Sequence, residues 1–151
     1  MKRAVRKWLL RAVLLLALLA LPGDDAVATP GPCAAVHATP YLTHFYGPVY
    51  VNGAPAPVGA VIRAFSPRGA LAGCTVTTSP GICPYLRVYG EDLTATPPIA
   101  GMRAGEAVRF TVNGRAVTTT PSPVIWYDDK GTHLVRLDIV GVAFYLPLVW
   151  R

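Results

Sequence analysis

The chain has 151 residues, with 14 Lys and Arg against 8 Asp and Glu, a formal net charge of +6. That length is enough for one domain with a real core. Much of the positive balance sits at the start, and elsewhere the sequence has no basic run and no interleaving of aromatic with basic residues, which argues against nucleic acid as a partner.

The opening segment carries Lys2, Arg3, Arg6, Lys7 and Arg11, then the unbroken apolar run Ala12–Leu21, then Ala26-Val27-Ala28. A charged start, a short apolar middle and an A-x-A end describe a secretory signal peptide over residues 1–28, cleaved before Thr29. A membrane anchor needs about 20 apolar residues, and this run is shorter. The membrane is therefore expected to matter only during export. Without Lys2, Arg3, Arg6, Lys7, Arg11, Asp24 and Asp25, nine basic and six acidic residues remain, about +3 and scattered. The chain beyond the leader is rich in Pro, Gly, Thr, Val and Ala, a balance that suits short strands and frequent turns over long helices.

Residues 29–43 read as a Pro/Ala-rich arm with no period of either kind. A domain over residues 44–140 comes next. Phe45–Val51 and Ala60–Phe65 are predicted strands flanking Asn52-Gly53-Ala54-Pro55-Ala56-Pro57. Asn-Gly tolerates the positive φ of a tight turn, and the prolines stiffen the connection. Leu71–Thr78 and Ile82–Tyr89 are the next predicted strands, joined by Ser79-Pro80-Gly81, with Leu86 and Val88 facing in and Tyr85, Arg87 and Tyr89 facing out. The irregular stretch Gly90–Gly105 holds Glu91-Asp92 and Pro97-Pro98. Loops of this length in small domains are often functional, or else lie flat against one edge. Glu106–Asn113 alternates cleanly, with Val108, Phe110 and Val112 on one face, and Asn113-Gly114 turns it into Arg115–Thr120. Val124–Tyr127 and Thr132–Val140 flank Asp128-Asp129-Lys130-Gly131, a third hairpin signal. Seven or eight short strands with a turn every eight to twelve residues predict an all-β, antiparallel sandwich, with a small closed barrel as the alternative.

Three cysteines, Cys33, Cys74 and Cys83, lie beyond the leader. In an oxidising compartment one bridge is expected. Cys74 with Cys83 is the favoured pair, because a turn lies between them, and closing so short a loop is worth roughly 2.5–3 kcal/mol on the chain-entropy model. Cys33 is then left over, or it takes one partner in place of that pairing. The spacing does not make a zinc site.

The stretch GPVYVNGAPAPVGAVIRAF, through Gly47, Val49, Asn52-Gly53, Pro55, Pro57 and Gly59-Ala60-Val61, resembles the opening of carboxypeptidase-regulatory-like domains. Gly105-Glu106-x-Val108-x-Phe110-x-Val112-Asn113-Gly114 is similar to a strand and turn of exported bacterial surface modules. The likeness spans about Phe45 to Val140. It implies a transthyretin-like (prealbumin-like), immunoglobulin-like sandwich and a non-catalytic module that spaces, stabilises or binds. The Cys74/Cys83 pair and the Gly90–Gly105 loop depart from it. The apolar tail at 141–151, with Tyr145, Leu146, Pro147 and Leu148, resembles the YLPL-type ends of some exported bacterial proteins. It reads either as an edge strand or as a tag for surface attachment.

The motifs of the commonest chemistries do not occur. There is no G-x-S-x-G elbow, no H-E-x-x-H, no phosphate loop and no calcium-loop ladder. No cofactor and no metal are expected. His133 beside Asp128-Asp129 would be the base of a small hydrolase, and the bland reading is a turn with solvated charges. Glu91-Asp92 and Asp128-Asp129 would offer calcium oxygens only if their loops met. Among the aromatics, Tyr85, Tyr89, Trp126 and Tyr127 are the candidate ligand-binding residues. Outward aromatic faces hold sugars by stacking, or else cover the sheet by cross-strand packing. The expectation is a secreted or cell-surface, non-enzymatic module with a structural or adhesive role through envelope proteins, with glycan binding as the second reading and a hydrolase as the third.

Overall fold

A computed structural model describes residues 31–139 and 141. The expected signal peptide and most of the apolar tail, Tyr145 to Leu148 included, lie outside the described residues. Among those residues the fold is all-β, with ten strands and no helix. The strands are β1 (Leu42–Val51), β2 (Ala54–Pro55), β3 (Val61–Phe65), β4 (Leu71–Val76), β5 (Ile82–Tyr89), β6 (Arg109–Val112), β7 (Arg115–Ala116), β8 (Thr118–Thr120), β9 (Thr132–Leu134) and β10 (Arg136–Ile139).

The expected antiparallel sandwich gives way to a mixed sheet that curls toward a barrel. Its order is β7-β6-β3-β4-β5-β1-β10-β8, with β2 and β9 also paired to β1. β1 is the axis. Its first half pairs antiparallel with β5 and parallel with β9, and its second half pairs parallel with β10 and antiparallel with β2. The stretch from Val124 to Ile139 closes the sheet. Val108 N donates to Val124 O and Trp126 N to Glu106 O, tying its start beside β6. After the Asp128–Gly131 turn the same chain runs along β1 as β9 and β10. The third hairpin expected there is therefore not formed. Val124–Trp126 lies beside Glu106–Val108, whereas Thr132–Ile139 runs along β1.

The change of partners along β1 happens at Gly47. This residue has φ of 146°, and a Cβ on it would lie 2.2 Å from the Val135 carbonyl oxygen. Val135 is the break between β9 and β10, and its N–H donates to Tyr46 O. Only glycine lets the two backbones approach this closely.

The opening turn forms as the sequence dictates, but its partner differs. Val51 pairs with Ala54 across Asn52 (φ 52°) and Gly53 (φ 79°), the two positive values of a type I′ turn. The returning strand is only β2. The expected partner, β3, pairs instead with β4 and β6. Alternation on β5 and β6 matches the sequence pattern, with Leu86, Val88, Phe110 and Val112 buried. They join Phe45, Val49, Ile62, Met102, Leu137 and Ile139 in one core.

Two expectations about particular side chains are corrected. The disulfide joins Cys33 to Cys74, with Cα atoms 5.3 Å apart, and Cys83 is a free, buried thiol. The register sets Gly73 against Val88, so Cys74 lies beside Arg87, roughly 13 Å of strand from Cys83. That exceeds the span a bridge tolerates. Cys83 also faces the core, while Cys74 lies on the outer side beside Arg63. Closing the longer loop is worth about 4 kcal/mol on the chain-entropy model, and such a bridge persists in oxidising surroundings. Burial pushes the Cys83 thiol up to about 12.

Trp126, expected as a surface aromatic, is 2% exposed. Docking of its segment beside Glu106–Val108 turns Val124 and Trp126 inward together. The indole Nε1 donates to Val88 O at 2.9 Å, so its polar atom is satisfied inside the core.

Candidate functional site

The outer face of β1 and β5 is built by strand alternation. On β1, His44, Tyr46 and Tyr50 point away from the core that Phe45 and Val49 fill. On β5, Tyr85, Arg87 and Tyr89 do the same. His44 lies opposite Arg87 on one side and Thr132 on the other. Continuing across the sheet, Cys74 pairs with Arg63. One rung thus carries Arg63, Cys74, Arg87, His44 and Thr132.

An irregularity re-aims the next rung. Phe45 pairs with Leu86 and Gly47 with Cys83, so Tyr46 faces both Pro84 and Tyr85. Two residues against one is a β-bulge, which redirects side chains. It brings Tyr85 over its neighbours. Its ring centroid is 6.0 Å from that of Tyr46, at 33°, and 6.3 Å from that of His44, edge-on at 88°. Tyr85 is 68% exposed and Tyr46 is 41% exposed.

Tyr85 and His44 floor a groove of about 590 Å³, with Tyr46 beside it. Tyr85, Arg87, Tyr89 and His44 line it, with Cys74 and Thr132 at its sides. The arm supplies a wall. Cys33 is bonded to Cys74, and Val36 and Ala38, just after it, line the groove. Arg63 donates to Pro32 O at 3.1 Å, holding the same arm. The disulfide is therefore a structural part of this site.

Of the four aromatics singled out by sequence, Tyr85 and Tyr89 line the groove. Trp126 is core, and Tyr127, though 53% exposed, is not among the lining residues. His44 and Arg87 complete the lining without having been singled out. Their positions in the alternation were legible, but the pairing that sets them beside Tyr85 was not.

The other candidate residues make contacts within the fold. His133 Nε2 lies 2.7 Å from Asp129 Oδ2. Asp129 also accepts from Gly131 N at 2.8 Å and from the Thr43 hydroxyl at 3.1 Å. Burial alone would raise the Asp129 carboxyl, but the bonds from Gly131, His133 and Thr43 outweigh it and hold the carboxyl below its usual range. Thr43 is 1% exposed, and its single hydroxyl proton is shared between Asp129 and Tyr127 O. The cluster thus locks the Asp128–Gly131 turn to β1. Asp128 accepts from Leu42 N. Asp92 caps its own loop, its carboxyl lowered first by the Thr94 hydroxyl. Glu91 pairs with Arg68 and Arg103, and Glu106 pairs with Arg68. Among the described residues no group of three metal-ligating side chains forms.

Compared with protein-family models, with curated proteins and with solved structures, the chain matches none of them.

Proposed function

We propose that this chain is an exported, non-enzymatic β module that holds a partner at the cell surface through the groove over β1 and β5. The observation that carries the reading is the groove itself. Exposed tyrosines and a basic side chain sit on a rigid strand pair, beside an arm held by a disulfide. Sites on strands are positioned more precisely than sites on loops, and concave surfaces with aromatic walls and a few polar groups are the usual form of binding sites. The charged leader with its A-x-A end and the bridge both favour an oxidising destination. The likeness to carboxypeptidase-regulatory-like domains belongs to the same proposal, as does a surface-attachment role for Tyr145, Leu146, Pro147 and Leu148.

Fractionation tests it. Producing cells are separated into cytosol, envelope and medium, for the full chain and for Tyr46→Ala with Tyr85→Ala. The full chain is expected on the envelope and accessible to protease added to intact cells, and the double variant in the medium. Removing residues 144–151 in parallel separates the tail's contribution from that of the groove. Retention of the full chain in the cytosol overturns the proposal.

A further inference from the structure

The groove differs from an ordinary tyrosine-covered sheet in its charge. Arg87 is exposed and lines it, and Arg63 lies two strands away on the same rung. Among the described residues neither guanidinium is paired with a carboxylate. The ion pairs go to Arg68, Arg103, His133 and Arg136. The acids nearest along β1, Asp128 and Asp129, lie at its Leu42 end, bonded to Leu42 N and to His133, Gly131 and Thr43. The second half of β1 makes the contrast. There Arg136 stacks over the Tyr50 ring at 4.5 Å, and Asp138 neutralises it through two hydrogen bonds at 2.7 and 2.9 Å.

The geometry points to a saccharide bearing an anionic group, a uronate or a sulfate, as the ligand of the groove. This rests on the groove being the binding surface. The assignment comes from what each part recognises. Tyr85, exposed and lining the groove with Tyr46 tilted against it, offers a ring face to the C–H face of a sugar. Arg87 presents a planar fork of donors that suits a carboxylate or a sulfate oxygen pair. His44 and Thr132 add polar groups at the rim. A neutral sugar would leave the Arg87 charge unanswered. An acidic peptide would answer it without needing the ring platform that the bulge builds.

The test uses the full chain after export, in affinity electrophoresis through gels holding polygalacturonate, dextran sulfate, dextran or polyglutamate. Retardation is expected in polygalacturonate, in dextran sulfate, or in both, and not in dextran. Binding to one of the two acidic polymers alone identifies the anionic group. Arg87→Ala and Tyr85→Ala are each expected to weaken retardation about tenfold or more, and added salt to weaken it further. Arg115→Ala, on β7, is expected to leave it unchanged. Equal retardation by dextran overturns the anionic assignment and leaves a glycan site. Equal retardation by polyglutamate, or loss with Arg87→Ala but not with Tyr85→Ala, reduces the site to charge alone and overturns it. Retardation by none of the four, with the chain still on the envelope, overturns the saccharide and leaves the surface reading standing.

Discussion

Two surface regions of this molecule use arginine differently. At the Gly90–Gly105 loop, Arg68 reaches Glu91, Glu106 and the Gly101 carbonyl, and Arg103 reaches Glu91 at 2.7 Å. That bond is the main reason the Arg103 guanidinium is held above its ordinary value. Gly101 packs so closely on Gly90 that a Cβ would lie 2.4 Å from its backbone. The longest irregular stretch among the described residues, read from sequence as functional or as lying flat against one edge, is thus tied down by ion pairs that reach it from Arg68 and within it from Arg103. Over β1 and β5, Arg87 lines the groove together with Tyr85 and Tyr89, and among the described residues it has no carboxylate partner. Charge that is answered within the fold holds a loop. Charge left beside exposed rings is available for recognition.

The contrast breaks most severely at the scaffold beneath the groove. Gly47→Ala is expected to destabilise by about 4 kcal/mol or more, because the clash is with backbone and no rotamer relieves it. A urea midpoint within error of the parent would show that β1 does not change partners there. Loss of the bridge comes next. Cys33→Ser with Cys74→Ser is expected to cost about 2–4 kcal/mol and to weaken polysaccharide retardation while Tyr85 and Arg87 stay intact. Peptide mapping of the parent is expected to recover Cys33 linked to Cys74. Cys83, with its thiol pushed up by burial, should react with maleimide only after denaturation. Sharper still is a crossed pair of variants. Arg68→Ala removes two ion pairs and a carbonyl contact and is expected to cost about 1–2 kcal/mol with retardation unchanged. Tyr85→Ala, at an exposed site, is expected to change stability by no more than about 0.5 kcal/mol with retardation lost. If both variants move both quantities, the two surfaces are not distinct.

The legible and the illegible parts of the fold divide along a physical line, between local and distant interactions. Turns are local chemistry, so Asn52-Gly53 and Asn113-Gly114 announced themselves through residues that accept positive φ. Facing on a long strand is also local, and the alternation of β5 placed Tyr85, Arg87 and Tyr89 outward correctly. Pairing is not local. β9 and β10 run parallel to β1, and parallel partners distant in sequence leave no hairpin signal between them. The sequence signal instead favoured a hairpin between segments that the fold sends to different neighbours. The same bias toward near partners chose Cys83 over Cys33 for Cys74. Trp126 sits in a segment too short for a period to decide its facing, and only docking beside Glu106 turns it in. The site was half legible for this reason. Tyr85 and Tyr89 come from alternation, whereas His44 beside Arg87 needs the register.

The smallest expected effect concerns acid. Asp129 holds the turn that carries β9 alongside β1, and its carboxyl lies below the usual range once Gly131, His133 and Thr43 have overcome the effect of burial. A lowered carboxyl contributes stability that is complete above the unfolded value near 4, and that is lost as pH falls through the folded value. Thermal stability is therefore expected to fall on the acid side, and Asp129→Asn to flatten part of that fall. Both side chains of the His133 pair are more than a third exposed, so solvent screening keeps the effect within about 1 kcal/mol. Retardation of polysaccharide at neutral pH should not change, since Asp129 does not line the groove. If Asp129→Asn weakens retardation at neutral pH, the Asp128–Gly131 turn and the groove act as one surface. The separation between charge that holds and charge that binds would then have to be redrawn to include it.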